Sequence, residues 1–185
     1  MNTINVAVIV GSLRKESFSK KIAFALKDLS PKELHLELID ISALSFYNQD
    51  LEEQNQEPSE WKSFRQELKK YDAFLFVTPE YNRSFPGVLK NALDIGSRPY
   101  GHSVWNGKPG AIVSVSPGSV GGFGANHHLR QVLTFLNVAT MQQPEAYISA
   151  VHTLLDEKGV VSNAGTKKFL SDFVASFHKW IKTNS

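Results

Sequence analysis

The chain has 185 residues, room for one well-filled domain and too few for two that each bury a substantial core. Lys and Arg total 20 against 18 Asp and Glu, a formal charge of +2 with no basic cluster denser than Lys20-Lys21 or Lys167-Lys168, so a nucleic-acid-binding face is not expected. There is no cysteine, which excludes disulfides, thiolate-held metal clusters and cysteine nucleophiles, and any redox chemistry must then use a bound cofactor.

The first residues, Met1-Asn2-Thr3-Ile4-Asn5, lack the basic flank and cleavage site of a signal peptide. No apolar run approaches the roughly 20 residues that span a bilayer, so a cytoplasmic protein without a membrane partner is expected. Ile4 to Val10 is an almost continuous β-branched run ending at Gly11, the pattern of a strand buried on both faces in a parallel sheet. From Phe18, the apolar residues Ile22, Ala25, Leu26 and Leu29 recur at helical spacing. Leu34 to Ile41 predicts a second strand, and the acidic stretch from Asn48 to Glu57 predicts a surface loop. Glu60 to Lys70 returns to helical spacing through Trp61, Phe64 and Leu68. Ala73 to Val77 is a third strand, halted by Pro79. Pro86 suits the first turn of a helix carrying Val88, Leu89, Ala92 and Leu93, with Ser84 as its cap. Ala111 to Val115 predicts the fourth strand, Leu129 to Leu136 a helix, and Val138 to Met141 a weaker fifth strand. A last helix carries Phe169, Leu170, Phe173, Val174, Phe177, Trp180 and Ile181 on one stripe.

This alternation predicts a single domain over residues 1–185 with a doubly wound, five-stranded parallel sheet in a three-layer α/β/α sandwich, since parallel neighbours require crossover helices. Ligands of such sheets bind beyond the strand C-termini, which directs attention to three loops. The first, Gly11 to Lys20, combines Ser12, Ser17 and Ser19 with Arg14 at a helix start, a candidate phosphate site; ordinary helix capping is the plainer reading. It is neither the three-glycine dinucleotide fingerprint nor a Walker A loop. The second, Thr78 to Gly87, offers the ring of Tyr81 and the amide of Asn82 to a planar heterocycle, or else packs Tyr81 in the core. The third, Ser116 to Gly124, has so much glycine that close approach of backbone to a ligand is expected, with a flexible turn as the alternative. His127 and His128, adjacent on a helix, diverge by about 100° and make a poor metal pair. No Gly-x-Ser-x-Gly elbow follows a strand, and Lys90 with Asp94 reads as a surface or interface i,i+4 pair.

Several segments in this order resemble one family. They are Gly11-Ser12-Leu13-Arg14-Lys15 with Ser17, Thr78-Pro79-Glu80-Tyr81-Asn82 with Ser84, Pro86-Gly87, Leu89-Lys90-Asn91-Ala92, and Asp94 with Ser97-Arg98. Gly107-Lys108-Pro109, Gly121-Gly122, His128-Leu129-Arg130-Gln131 and Pro144-Glu145 complete the set. Together they resemble the NADPH-dependent FMN reductases of flavodoxin-like fold, a group that includes bacterial quinone, chromate and azo-dye reductases. The resemblance implies an FMN-dependent oxidoreductase that takes hydride from NADPH or NADH and passes reducing equivalents, in ping-pong fashion, to a quinone, azo dye, chromate or free flavin. It implies Ser12, Arg14, Ser17 and Ser19 around the FMN phosphate. Pro79, Glu80, Tyr81 and Asn82 would line the isoalloxazine, and the Ser116 to Gly122 loop, with Gly118, Ser119 and Gly121, would close over its pyrimidine side. Ser19 departs from the asparagine of many relatives. Gly124 and His127 stand where the quinone and chromate reductase branch carries an interface arginine and tyrosine, so a homodimer is implied while a tetramer of that design is in doubt. The resemblance names no indispensable catalytic side chain and no metal. A flavodoxin-like one-electron carrier and a non-catalytic flavin-binding protein are the other readings of the same residues.

Overall fold

Alternation within the apolar runs decides which helix covers which side of the sheet. In the computed structural model, which describes residues 3–185, the strands are β1 (Ile4–Val10), β2 (Leu34–Ile39), β3 (Ala73–Pro79), β4 (Pro109–Val115), β5 (Ala139–Thr140) and β6 (Ala146–Ile148). The helices are α1 (Phe18–Asp28), α2 (Gln49–Glu53), α3 (Ser59–Leu68), α4 (Gly87–Gly96), α5 (Phe123–Phe135) and α6 (Ala164–Asn184). The sheet runs β2-β1-β3-β4-β5, with β6 also pairing β4, and every pairing is parallel. The register sets Val8 opposite Leu38 on one side and Leu75 on the other.

Successive residues of a strand face opposite ways. Val6, Val8, Leu75, Val77 and Val113 therefore pack under α1 and α6, against Ile22, Leu26, Phe173 and Phe177. Ala7, Ile9, Phe74, Phe76 and Ile112 face the other way, under α3, α4 and α5. The result is the flavodoxin-like three-layer α/β fold that the element pattern predicts. At the centre of the second layer Trp105 is fully buried, with its ring 4.7 Å from that of Phe74 and its indole N–H donating to the Leu93 carbonyl at 2.9 Å. The chain leaves β1 outward to β2, then returns to place β3 on the opposite flank of β1. The crevice for a ligand opens at that reversal.

Several boundaries differ from the expectation, each for a local reason. The second strand stops at Ile39 because the Asp40 carboxylate accepts the Ser42 amide at 2.8 Å and turns the chain. The acidic stretch is not a free surface loop. Asn48 caps the short α2, and Glu52 is held there by two hydrogen bonds from Arg98 and one from Tyr47. Burial pushes the Glu52 carboxyl upward, yet those hydrogen bonds outweigh it and hold the group below its ordinary value. Ser84 does not cap α4. Pro86 occupies the cap position itself, and no side chain bonds there. The fifth strand is split: β5 pairs the beginning of β4 and β6 its end, with Pro144, which has no N–H to donate, in the gap. Lys90 and Asp94 do pair, 2.7 Å apart on the half-exposed surface of α4. Among the described residues no helix is long and apolar enough to cross a membrane.

Gly96, the last residue of α4, lets the Trp105 ring lie against its backbone: a Cβ there would sit 2.5 Å from the indole. Gly96→Ala should lower unfolding free energy by about 1–3 kcal/mol through overpacking. Gly87→Ala, at a position with open space around it, should be neutral or stabilise by about 0.4–1 kcal/mol. Urea unfolding midpoints for the two variants check the pair, and equal effects would contradict the packing argument.

Candidate functional site

The C-terminal ends of β1, β3 and β4 deliver three loops to one rim. The first is pinned at its base, where the Gly11 amide donates to the Val77 carbonyl at 2.9 Å. Its far end starts α1. Ser17 is the N-cap, its hydroxyl oxygen accepting from the Lys20 amide at 3.2 Å, which leaves the amides of Phe18 and Ser19 without helical acceptors. Ser17 thus does the capping that the plainer reading of this serine-rich loop anticipates. Ser19 does not: its hydroxyl is buried and finds no hydrogen-bond partner.

Ser19 is one of the residues around a cavity of about 190 Å³. Ser12, Arg14, Ser17 and Ser19 line it from the first loop, Pro79, Glu80 and Tyr81 from the second, and Ser116 from the third. Phe18, Val115 and Pro117 complete the wall. Of these, Phe18 and Val115 were not singled out in the sequence, although Phe18 adjoins the serines and Val115 ends a strand aimed at the rim. Tyr81 is not a core residue; it remains half exposed. Asn82, Gly118, Ser119, Gly121 and Gly122 lie outside the lining.

The second loop is a tight turn in which Tyr81 and Ser84 exchange backbone hydrogen bonds of 2.8 and 3.0 Å. Both central residues are left-handed, Asn82 at φ 50° and Arg83 at φ 66°, so Asn82 sits at the tip. The third loop needs its glycines for contact with the protein itself. A Cβ on Gly121 would come within 2.8 Å of the Tyr147 backbone, and one on Gly122 within 3.0 Å of Ser114. Both also have positive φ.

Glu80 joins these two loops. Gly122 is the N-cap residue of α5 and has no side chain with which to cap it. Instead one Glu80 carboxylate oxygen accepts the Ala125 amide at 3.1 Å, and the other lies 3.2 Å from Arg83. A negative charge at this end of a helix also meets the positive end of its dipole. Gly124 permits the approach, because a Cβ there would come within 2.8 Å of the Arg83 carbonyl oxygen. One turn along, a ring nitrogen of His128 lies 3.0 Å from the Ser84 hydroxyl. His127 turns elsewhere, its Nε2 3.0 Å from the Tyr147 hydroxyl, whose pKa burial and the Glu145 carboxylate push up to about 12.

Residues 4–153 match the family model described as NADPH-dependent FMN reductase. A quinone reductase of Pseudomonas putida is 55% identical over 180 residues, covering 97% of this chain and 96% of the relative. A 2-hydroxy-1,4-benzoquinone reductase of a Burkholderia species is 44% identical, covering 97% of each chain. Among solved structures, FerB of Paracoccus denitrificans, a flavoenzyme NAD(P)H:(acceptor) oxidoreductase, superposes with a TM-score of 0.91 at 39% identity over 98% of this chain and 99% of that one.

The Glu80 cap carries a quantitative expectation. Glu80→Ala removes the acceptor at the start of α5 and should cost about 1–2 kcal/mol of stability. Arg83→Ala removes only the exposed partner of the same carboxylate and should cost less than about 1 kcal/mol. Equilibrium unfolding of both variants is the check. Equal losses would mean that the ion pair, and not the helix cap, holds the loops together.

Proposed function

Because the chain belongs to the NADPH-dependent FMN reductase family, we propose that it is an FMN-dependent NAD(P)H oxidoreductase with quinones among its acceptors. What supports a phosphate-bearing cofactor here, apart from kinship, is the start of α1: the Phe18 and Ser19 amides have no helical acceptor, Arg14 stands beside them, and Ser19, a residue of the cavity wall, has a buried hydroxyl with no hydrogen-bond partner. A phosphate supplies acceptors for those first-turn amides and meets the dipole of α1 and the guanidinium of Arg14. The residues present therefore fit FMN. Bound there, FMN supplies the two-electron chemistry that links a nicotinamide donor to a quinone acceptor.

The chain's own residues then bind and orient. Ser12, Arg14, Ser17 and Ser19 hold the phosphate; the Ser17 oxygen already accepts from Lys20, so its proton is free to be donated. Pro79, Glu80 and Tyr81 line the ring side of the pocket, with Asn82 at the tip of the turn beside them. Glu80 takes part through its backbone, since its carboxylate is held by α5. The loop of Ser116, Gly118, Ser119, Gly121 and Gly122 presents backbone amides as fixed donors to the pyrimidine side, a preorganised field that needs no side-chain acid or base. The same proposal includes a ping-pong order, a cytoplasmic location where NAD(P)H is supplied, and a homodimer whose partner copy roofs the half-exposed Tyr81 and Leu13.

Purified protein should be yellow and should oxidise NADPH or NADH with a soluble quinone. A one-electron carrier would be yellow and fail to do so. Arg14→Ala should weaken FMN binding about tenfold to a hundredfold, the scale of one charge-assisted phosphate contact. Ser19→Ala should weaken it less. Fluorescence titration of the apoprotein with FMN measures both, and unchanged affinity in Arg14→Ala would remove that residue from the phosphate site.

A further inference from the structure

A second cavity, of about 460 Å³, lies between the β1–α1 loop and the end of β2. Arg14, Lys15 and Lys20 line it from one side, Asp40 and Ser42 from the other, and the half-exposed ring of Phe24 forms an apolar wall. Among the described residues none of the three cations has a carboxylate within 4.0 Å, whereas Lys21, next on the helix, is held by Glu16 at 2.9 Å. Asp40 is fixed by its bond to the Ser42 amide. Hydrogen bonds from Ser42 hold its carboxyl below the usual range, and the Lys20 charge adds to the effect, so the acid is ionised.

With Arg14 assigned to the FMN phosphate, Lys15 and Lys20 beside one carboxylate favour an anion that also brings a hydrogen-bond donor, which a bare phosphate ester oxygen cluster lacks and a sugar phosphate has. The aromatic wall adds a surface for a flat base. We infer that this cavity takes the 2′-phosphoadenosine end of NADPH, with the 2′-phosphate on Lys15 and Lys20, a ribose hydroxyl donating to Asp40, and the adenine against Phe24. The inference rests on the proposed NAD(P)H-dependent activity. Adjacency supports it: the two cavities share Ser12 and Arg14, so a dinucleotide anchored in this one lies beside the site proposed for FMN. On this reading the chain distinguishes NADPH from NADH with residues that take no part in holding FMN.

The test uses the FMN-loaded full chain. Adenosine 2′,5′-bisphosphate is titrated calorimetrically, its inhibition against NADPH is measured, and KM is determined for NADPH and NADH with one quinone. The bisphosphate should bind and compete with NADPH. In a Lys15→Gln/Lys20→Gln double variant, its Kd and the KM for NADPH should each rise about tenfold. The KM for NADH and the FMN content should stay constant, and Lys27→Gln, on the same helix but outside the cavity, should change nothing. Absence of bisphosphate binding, binding that does not compete with NADPH, or equal losses for both nucleotides in the double variant would overturn the inference. Failure of the reductase reading itself would look different: no oxidation of either nucleotide by the yellow protein, a result on which the calorimetric titration does not depend.

Discussion

The rim of this protein depends on a helix that cannot cap itself. The chain enters α5 through Gly121 and Gly122, both left-handed and both packed too closely on Tyr147 and Ser114 for a side chain. A residue with no side chain offers nothing to the amides of the first helical turn. The acceptor comes from 45 residues earlier, in the Glu80 carboxylate. Because Glu80 sits at the start of a tight turn, capping the helix also fixes the positions of Tyr81 and Asn82. One carboxylate therefore couples the turn after β3 to the glycine-rich loop that enters α5. Gly124 and the contact between His128 and Ser84 are the steric and polar sides of the same junction.

On the opposite side of the crevice the organising element is α1. Its start presents a capped but incompletely satisfied turn to one cavity, while the side chains of Lys20 and, one turn on, Phe24 line another. Two neighbouring cavities built on one rigid element are held in constant relation. The three-layer core makes α1 rigid: Ile22, Ala23 and Leu26 are fully buried against the sheet and α6.

Much of this was legible in the sequence, and the reasons for what was not are specific. β1 was readable to the residue because both of its faces are buried from Val6 to Val10, so its apolar run, interrupted only by Asn5, extends from Ile4 to Val10. The serine-rich loop, Pro79 and Tyr81 were recognisable as rim residues because strand ends in a parallel sheet all point one way. The segment 48–57 was misread as a loop because the partner that orders it, Arg98, is 46 residues from Glu52. The glycines at 121 and 122 were read as making room for a ligand, whereas their close neighbours are Tyr147 and Ser114; composition reveals crowding and not what causes it. Glu80 lines the cavity, but its carboxylate answers a helix whose missing cap becomes visible only when the loops are folded together.

The split fifth strand bears on how copies of this chain meet. An open sheet edge is a template onto which another chain can add a strand. Here β5 offers only two residues before the chain breaks away near Pro144, and β6 only three. At the other edge, β2 alternates its buried leucines with exposed His35 and Glu37. Neither border is long, flat and apolar, so the sheet resists growing by intermolecular strand pairing, and assembly between copies is left to helices and loops.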